Sequence, residues 1–320
     1  MAKAIEQLRS GLTIGHAKLG RHGAALGSVK QQVHDGDTVV IQADGNLSIR
    51  FLGIDAPETS FTLPAVTGDQ LFVPLSDPRF ARFLEDPFAA EWRPFAEPLD
   101  GALRGHLASR LGADVAANHS RHAKAAEREL EELVEQDLAD QGVDREMFRF
   151  FLAFAGEVMD RYGRLLAFVN RDEADETQRP PSYNMRLLEA GVVCPYFIWP
   201  NVDPFRKSRG TVAAVPEPGS GRELAEGTRA LKDTRRFFAD ARDTGAGLFA
   251  PADPLRIEPF EVRFLAGRRA PSRWLIDLSK DDDSLIPPQD YFSVPHAEDR
   301  LFIPEEYVPL FAEKGWRRPA

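Results

Sequence analysis

The chain has 320 residues, 43% of them hydrophobic, with a formal net charge of −10 and a sequence pI of about 5.3. That length supports one generous domain or two modest ones, each with its own core. The acidic balance is opposite to the basic footprint of a non-specific nucleic-acid binder, and one cysteine, Cys194, excludes an internal disulfide framework and a cysteine-based zinc site.

The first 27 residues are basic in places but hold no uninterrupted apolar core, so no signal peptide is expected. No stretch reaches the run of about 18 apolar residues that spans a bilayer, so a soluble protein without a membrane partner is expected, and the single Cys194 favours a reducing, cytoplasmic setting. Residues 38–42 (TVVIQ) and 47–54 (LSIRFLGI) are rich in β-branched residues and are joined by ADGN, which predicts a hairpin. Pro57 ends the second strand soon after Asp55. Residues 59–121 then change character, with many Pro and Phe and short helical fragments such as DGALRGHLASRL, and read as a mainly helical or irregular insertion. From Thr59 to Met147 there are 9 Lys plus Arg against 17 Asp plus Glu, so the acidity is regional.

Apolar residues at helical spacing predict an amphipathic helix over 122–140. The stretch MFRFFLAFAGEVMDRYGRLLAFVN predicts two strands around a turn near Arg161–Gly163, and NMRLLEAGVV a short helix stopped at Gly191. A further helix is expected over about 222–242. In the last 70 residues Phe260, Val262 and Phe264 alternate with Glu261 and Arg263, and Trp274, Ile276 and Leu278 share one face, so a second hairpin closed by AGRRAP is expected. Trp274, Trp316 and several Phe residues suggest that this segment packs against the rest of the chain.

Asp35, Asp37, Asp55 and Glu58 lie close in sequence with Arg50 among them. If the hairpin forms, Asp37 and Asp55 meet at its open end and can share an ion. Carboxylates are hard ligands, which suits Ca²⁺ or Mg²⁺ better than Zn²⁺. Arg50 adds a planar fork for phosphate oxygens. A hard cation, a guanidinium and a free carboxylate together equip a site to attack a phosphodiester.

In chain order, DGDT, RFLGIDAPET, DRYGRLLAFV and NMRLLEAGVV resemble the signature of the thermonuclease (staphylococcal nuclease homologue) family. The resemblance covers residues 28–58 and 122–248; residues 1–27, the insertion 59–121 and the C-terminal extension 249–320 lie outside it. It implies an α+β fold, a five-stranded OB-type β-barrel with three helices, and a calcium-dependent nuclease acting on DNA or RNA. Calcium ligands would be Asp37, Asp55 and the backbone carbonyl of Ala56. Glu58 would activate water, and Arg50 and Arg164 would bind the phosphate. The family's nucleotide-lining tyrosines would fall on Phe197 and Trp199, which keep a stacking face and lose the phenol. The alternative is a non-catalytic nucleic-acid- or protein-binding module of the same fold.

Other residues read more plainly. His34 adjoins the site on a strand edge, His119 and His122 fit a solvated helix start without a third ligand, and Cys194 fits a core position. The insertion begins a residue past Glu58, so its base must lie beside the site, where its acidity is expected to disfavour long duplexes.

Overall fold

The computed structural model describes residues 3–8, 10, 12–21, 25, 28–32, 38–65, 71–203 and 210–319. Asp37, with Asp35 and His34, lies outside the described residues.

Near the N-terminus β1 (Ile5–Gln7) pairs with β2 (Thr13–Gly15), and β3 (Ala17–Leu19) pairs across a short helix α1 (Val29–Gln32) with β4 (Ile41–Ala43). The expected hairpin of residues 38–54 is therefore replaced: β4 pairs with β3, and the run that follows it goes elsewhere. That run makes β5 (Ile49–Phe51) and β6 (Gly53–Asp55), which belong to different sheets. Gly53 turns the chain between them at φ +74, and a Cβ there would meet the Phe197 ring at 2.8 Å, so only glycine fits.

In the insertion, β7 (Ser60–Thr62) and β8 (Phe72–Pro74) pair antiparallel, followed by α2 (Pro78–Glu85) and α3 (Gly101–Ala108). Asp77 starts α2 by accepting the Arg79 N–H at 2.9 Å. Helix α4 runs over Val115–Gln141, seven residues earlier than its apolar spacing predicts. Its first turns hold Val115, Ala116 and His119 buried, so packing extends the helix past its amphipathic stretch.

Strands β9 (Phe150–Met159) and β10 (Leu165–Arg171) form as expected, as does α5 (Tyr183–Glu189), which Gly191 ends at φ +67. Strand β11 (Cys194–Ile198) follows. The expected helix over 222–242 is two helices, α6 (Gly221–Gly227) and α7 (Arg229–Thr244), separated at Thr228, whose backbone is extended. Gly227 and a β-branched Thr228 are weak helix formers at that joint.

The second expected hairpin is also corrected. Residues Pro259–Gly267 are helical, α8. Pro259 suits the first turn, and Glu261 accepts the Glu258 backbone N–H at 2.7 Å in a capping box. Both Phe260 and Phe264 face the core, as do Val262 and Leu265, so the helix is apolar nearly all round and its period-2 alternation is incidental. Strand β12 (Trp274–Asp277) pairs instead with β13 (Arg300–Ile303), and α9 (Val308–Lys314) follows.

The larger sheets have orders β5-β10-β9 and β12-β13-β11-β6, with β5 parallel to β10 and β11 parallel to β13. The fold is α+β, and the described strands form several small sheets, none closed into a barrel. One core joins the insertion to the C-terminal segment, with Phe80, Phe83, Leu103 and Leu107 packed against Val262, Leu265 and Leu275. A second holds Phe197, Trp199, Trp274 and Trp316. No helix among the described residues is long and apolar enough to cross a membrane.

Candidate active site

The site grows from the bent run β5–β6. Arg50 leaves β5 and donates from Nη2 to Asp55 Oδ1 at 2.7 Å. Asp55, at the end of β6, is 1% exposed. A third residue completes the group: Arg263 of α8, 208 positions further on, donates from Nη1 and Nη2 to Oδ1 and Oδ2 of Asp55, each at 2.6 Å. This is a bidentate fork on a buried carboxylate, flanked by a second guanidinium. Burial pushes the Asp55 carboxyl up; Arg263, and after it Arg50, outweigh that and hold it below its ordinary value.

Glu58 lies three residues beyond β6. Its backbone N–H donates to Nε2 of His119 at 3.2 Å. His119 is fully buried on α4, and burial pulls its pKa down to about 4, so the ring is neutral and the proton sits on Nδ1. His119 and His122 are thus interior residues instead of a solvated helix start. The Glu58 side chain is 38% exposed, and its Oε1 lies 3.6 Å from Arg263 Nη1. Arg263 therefore sits between Asp55 and Glu58.

Arg164 lies just before β10, after a turn at Gly163, φ +80. Asp160 holds that turn by accepting the Tyr162 and Arg164 backbone N–H groups at 2.9 and 3.0 Å, and it accepts Arg164 Nε at 2.7 Å. In the parallel register Leu166 faces Arg50. Arg164, two residues before Leu166 and outside the strand, borders the same cavity as Arg50. Arg50, Glu58, Arg164 and Arg263 all line one cavity of about 780 Å³.

A second cavity, of about 1100 Å³, shares Glu58, Arg263, Tyr162 and Tyr196 with the first. Arg93 of the insertion and Arg268, Arg269 and Arg273 of the C-terminal segment also line it. Among the described residues Glu58 is the one carboxylate in its wall, so this described lining is basic although the protein is acidic. Seven of the regional carboxylates sit on α4, whose residues line neither cavity.

The remaining expected residues fall elsewhere. Phe197 and Trp199 are 2% and 4% exposed in the second core and line neither cavity. Tyr196, beside them, lines both, and its hydroxyl accepts from Arg273 Nη1 at 2.9 Å. Ala56 is half-buried against the core of Ile54 and Leu188. Cys194 is buried and unpaired, in the core as expected.

Calcium at this place needs free carboxylate oxygens. Both oxygens of Asp55 are taken by guanidinium N–H groups, and among the described residues no group of three or more His, Cys, Asp or Glu is arranged to hold a metal ion. The described donor set does not fit a calcium ion. Arg263 was not expected from the sequence. The available signal was the density of arginines at 263, 268, 269 and 273 in an otherwise acidic chain.

Comparison with protein-family profiles, with curated proteins and with solved structures finds no match to this chain.

Proposed function

We propose that this chain is a nuclease that hydrolyses phosphodiester bonds of DNA or RNA at the cavity lined by Arg50, Glu58, Arg164 and Arg263. The observation that carries this reading is the convergence of Arg50, Arg164 and Arg263 with the partly exposed Glu58 on a single cavity, whose wall also carries Arg161, Arg269 and Arg273 against Glu157, Asp160, Glu305 and Glu306. Guanidinium forks match the non-bridging oxygens of a phosphodiester, and their charge opposes the charge that builds on those oxygens in the transition state. Glu58 accepts a proton from a water molecule as its oxygen attacks phosphorus. The bond from phosphorus to the 5′ oxygen breaks, as the thermonuclease resemblance implies; the 5′ oxygen leaves and takes a proton from solvent, giving a 5′-hydroxyl and a 3′-phosphate. The hydrogen bond from the Glu58 N–H to His119 fixes the backbone from which this carboxylate extends.

In this reading, β5, β6, β9, β10 and β11 are the described part of an OB-type barrel, with the bend at Gly53 carrying the chain from one side to the other. The nucleic-acid partner and a cytoplasmic setting, suggested by the lone cysteine, belong to the same proposal.

The test is incubation of the purified protein with single-stranded DNA, duplex DNA and RNA beside Glu58→Ala and Arg164→Ala. Cleavage is expected from the wild type and is lost in Glu58→Ala. Arg164→Ala is expected to be slower by at least about a hundredfold, the range for loss of one charge-stabilising donor. Binding of these substrates without cleavage would replace this reading with the non-catalytic module.

A further inference from the structure

The geometry points to Arg263 as a built-in cation: it occupies the place between Asp55 and Glu58 where a divalent metal ion would bridge two carboxylates, and the site works without one. This inference rests on the phosphodiesterase reading above.

Paired carboxylates in a buried place need a positive partner, since an uncompensated charge there is costly. Asp55 is 1% exposed and has two such partners, Arg263 through both Nη atoms and Arg50 through Nη2. The second carboxylate, Glu58, lies 3.6 Å from the same Arg263 Nη1. A divalent ion would have to displace one guanidinium and then sit against the other, and like charges in contact repel. Two guanidinium groups over one carboxylate also leave a positive charge on the cavity wall beside Glu58, where a bound phosphate needs it. Arg263 holds its place because α8 is anchored in the core through Val262 and Leu265, which are fully buried. The residue that performs this role therefore comes from outside the segment that carries the family resemblance.

Titration of Ca²⁺ into the intact protein tests this without any variant. No binding tighter than about 1 mM, the weak end of protein calcium sites, is expected. Cleavage is expected to be unchanged in excess chelator. Arg263→Ala is expected to cut cleavage by at least about a hundredfold, with partial rescue by added methylguanidinium, which a scaffold role would not show. Arg263→Lys, which keeps the charge and loses the fork, should retain the fold and part of the activity. Stoichiometric calcium binding by the wild type, or cleavage abolished by chelator, overturns the inference, as does an Arg263→Ala variant that cleaves at the wild-type rate. If the wild type cleaves no substrate, the phosphodiesterase reading falls, and the calcium titration alone still decides what sits between Asp55 and Glu58.

Discussion

His119 shows how a side chain that never reaches the cavity sets conditions for it. Its Nε2 accepts the Glu58 N–H, which requires a neutral ring, and burial holds its pKa at about 4 against 6.5 for an exposed histidine. The unfolded chain takes up that proton first as pH falls. Its contribution is therefore complete above pH 6.5 and is lost as pH drops towards 4, on the order of 3 kcal/mol across the window. His106, also pulled to about 4 by burial and then by Arg110, adds to the same slope. Asp55 acts lower: its depressed carboxyl contributes stability above the ordinary carboxylate range that is lost as pH falls through its folded value. Urea midpoints measured against pH should decline first between 6.5 and 4, and His119→Gln, which keeps an acceptor for Glu58, should flatten part of that decline.

Among the elements, the bent run β5–β6 depends on Asn184. Its Oδ1 accepts the Val169 N–H at 2.9 Å and its Nδ2 donates to the Leu52 carbonyl at 2.7 Å, so one buried side chain ties α5 to β10 and to the residue between Arg50 and Asp55. Asn184→Ala strands both backbone groups and is expected to cost about 2–4 kcal/mol in chemical denaturation. Cleavage should fall with it, since the run that carries Arg50 and Asp55 loses its brace. Much at this scale was legible in the sequence. Strands β9 and β10 and the α5 stop at Gly191 follow from local pattern, whereas the placing of Arg164 with Arg50 and Glu58 was implied only by the thermonuclease resemblance. What was not legible depends on distant partners. The pairing of β4 with β3 follows no local turn signal, and α8 hides behind an alternation of Phe260, Val262 and Phe264 that a strand would share. Arg263 was hidden with it, because its partner Asp55 lies 208 residues away.

Across the whole molecule, charge is sorted by place. A net of −10 coexists with a groove whose wall, among the described residues, carries Arg93, Arg161, Arg268, Arg269 and Arg273 against the single carboxylate of Glu58, while α4 holds its acids elsewhere. Clefts lined by one sign focus the field, so the global charge does not set the local attraction. Binding of single-stranded DNA to the Glu58→Ala protein should therefore weaken with salt. The expected slope of log affinity against log salt is about −2 to −3, for three or four phosphates engaged; anisotropy titrations at several salt concentrations would measure it, and a flat response would mean the groove holds no backbone phosphates. The same sorting has a consequence in time. Asp55 is synthesised early and Arg263 late, so on the ribosome the buried carboxylate has only Arg50 for company until α8 has emerged. The growing chain thus carries Glu58 long before it carries the last cation beside it, and the group is complete only once α8 has been made.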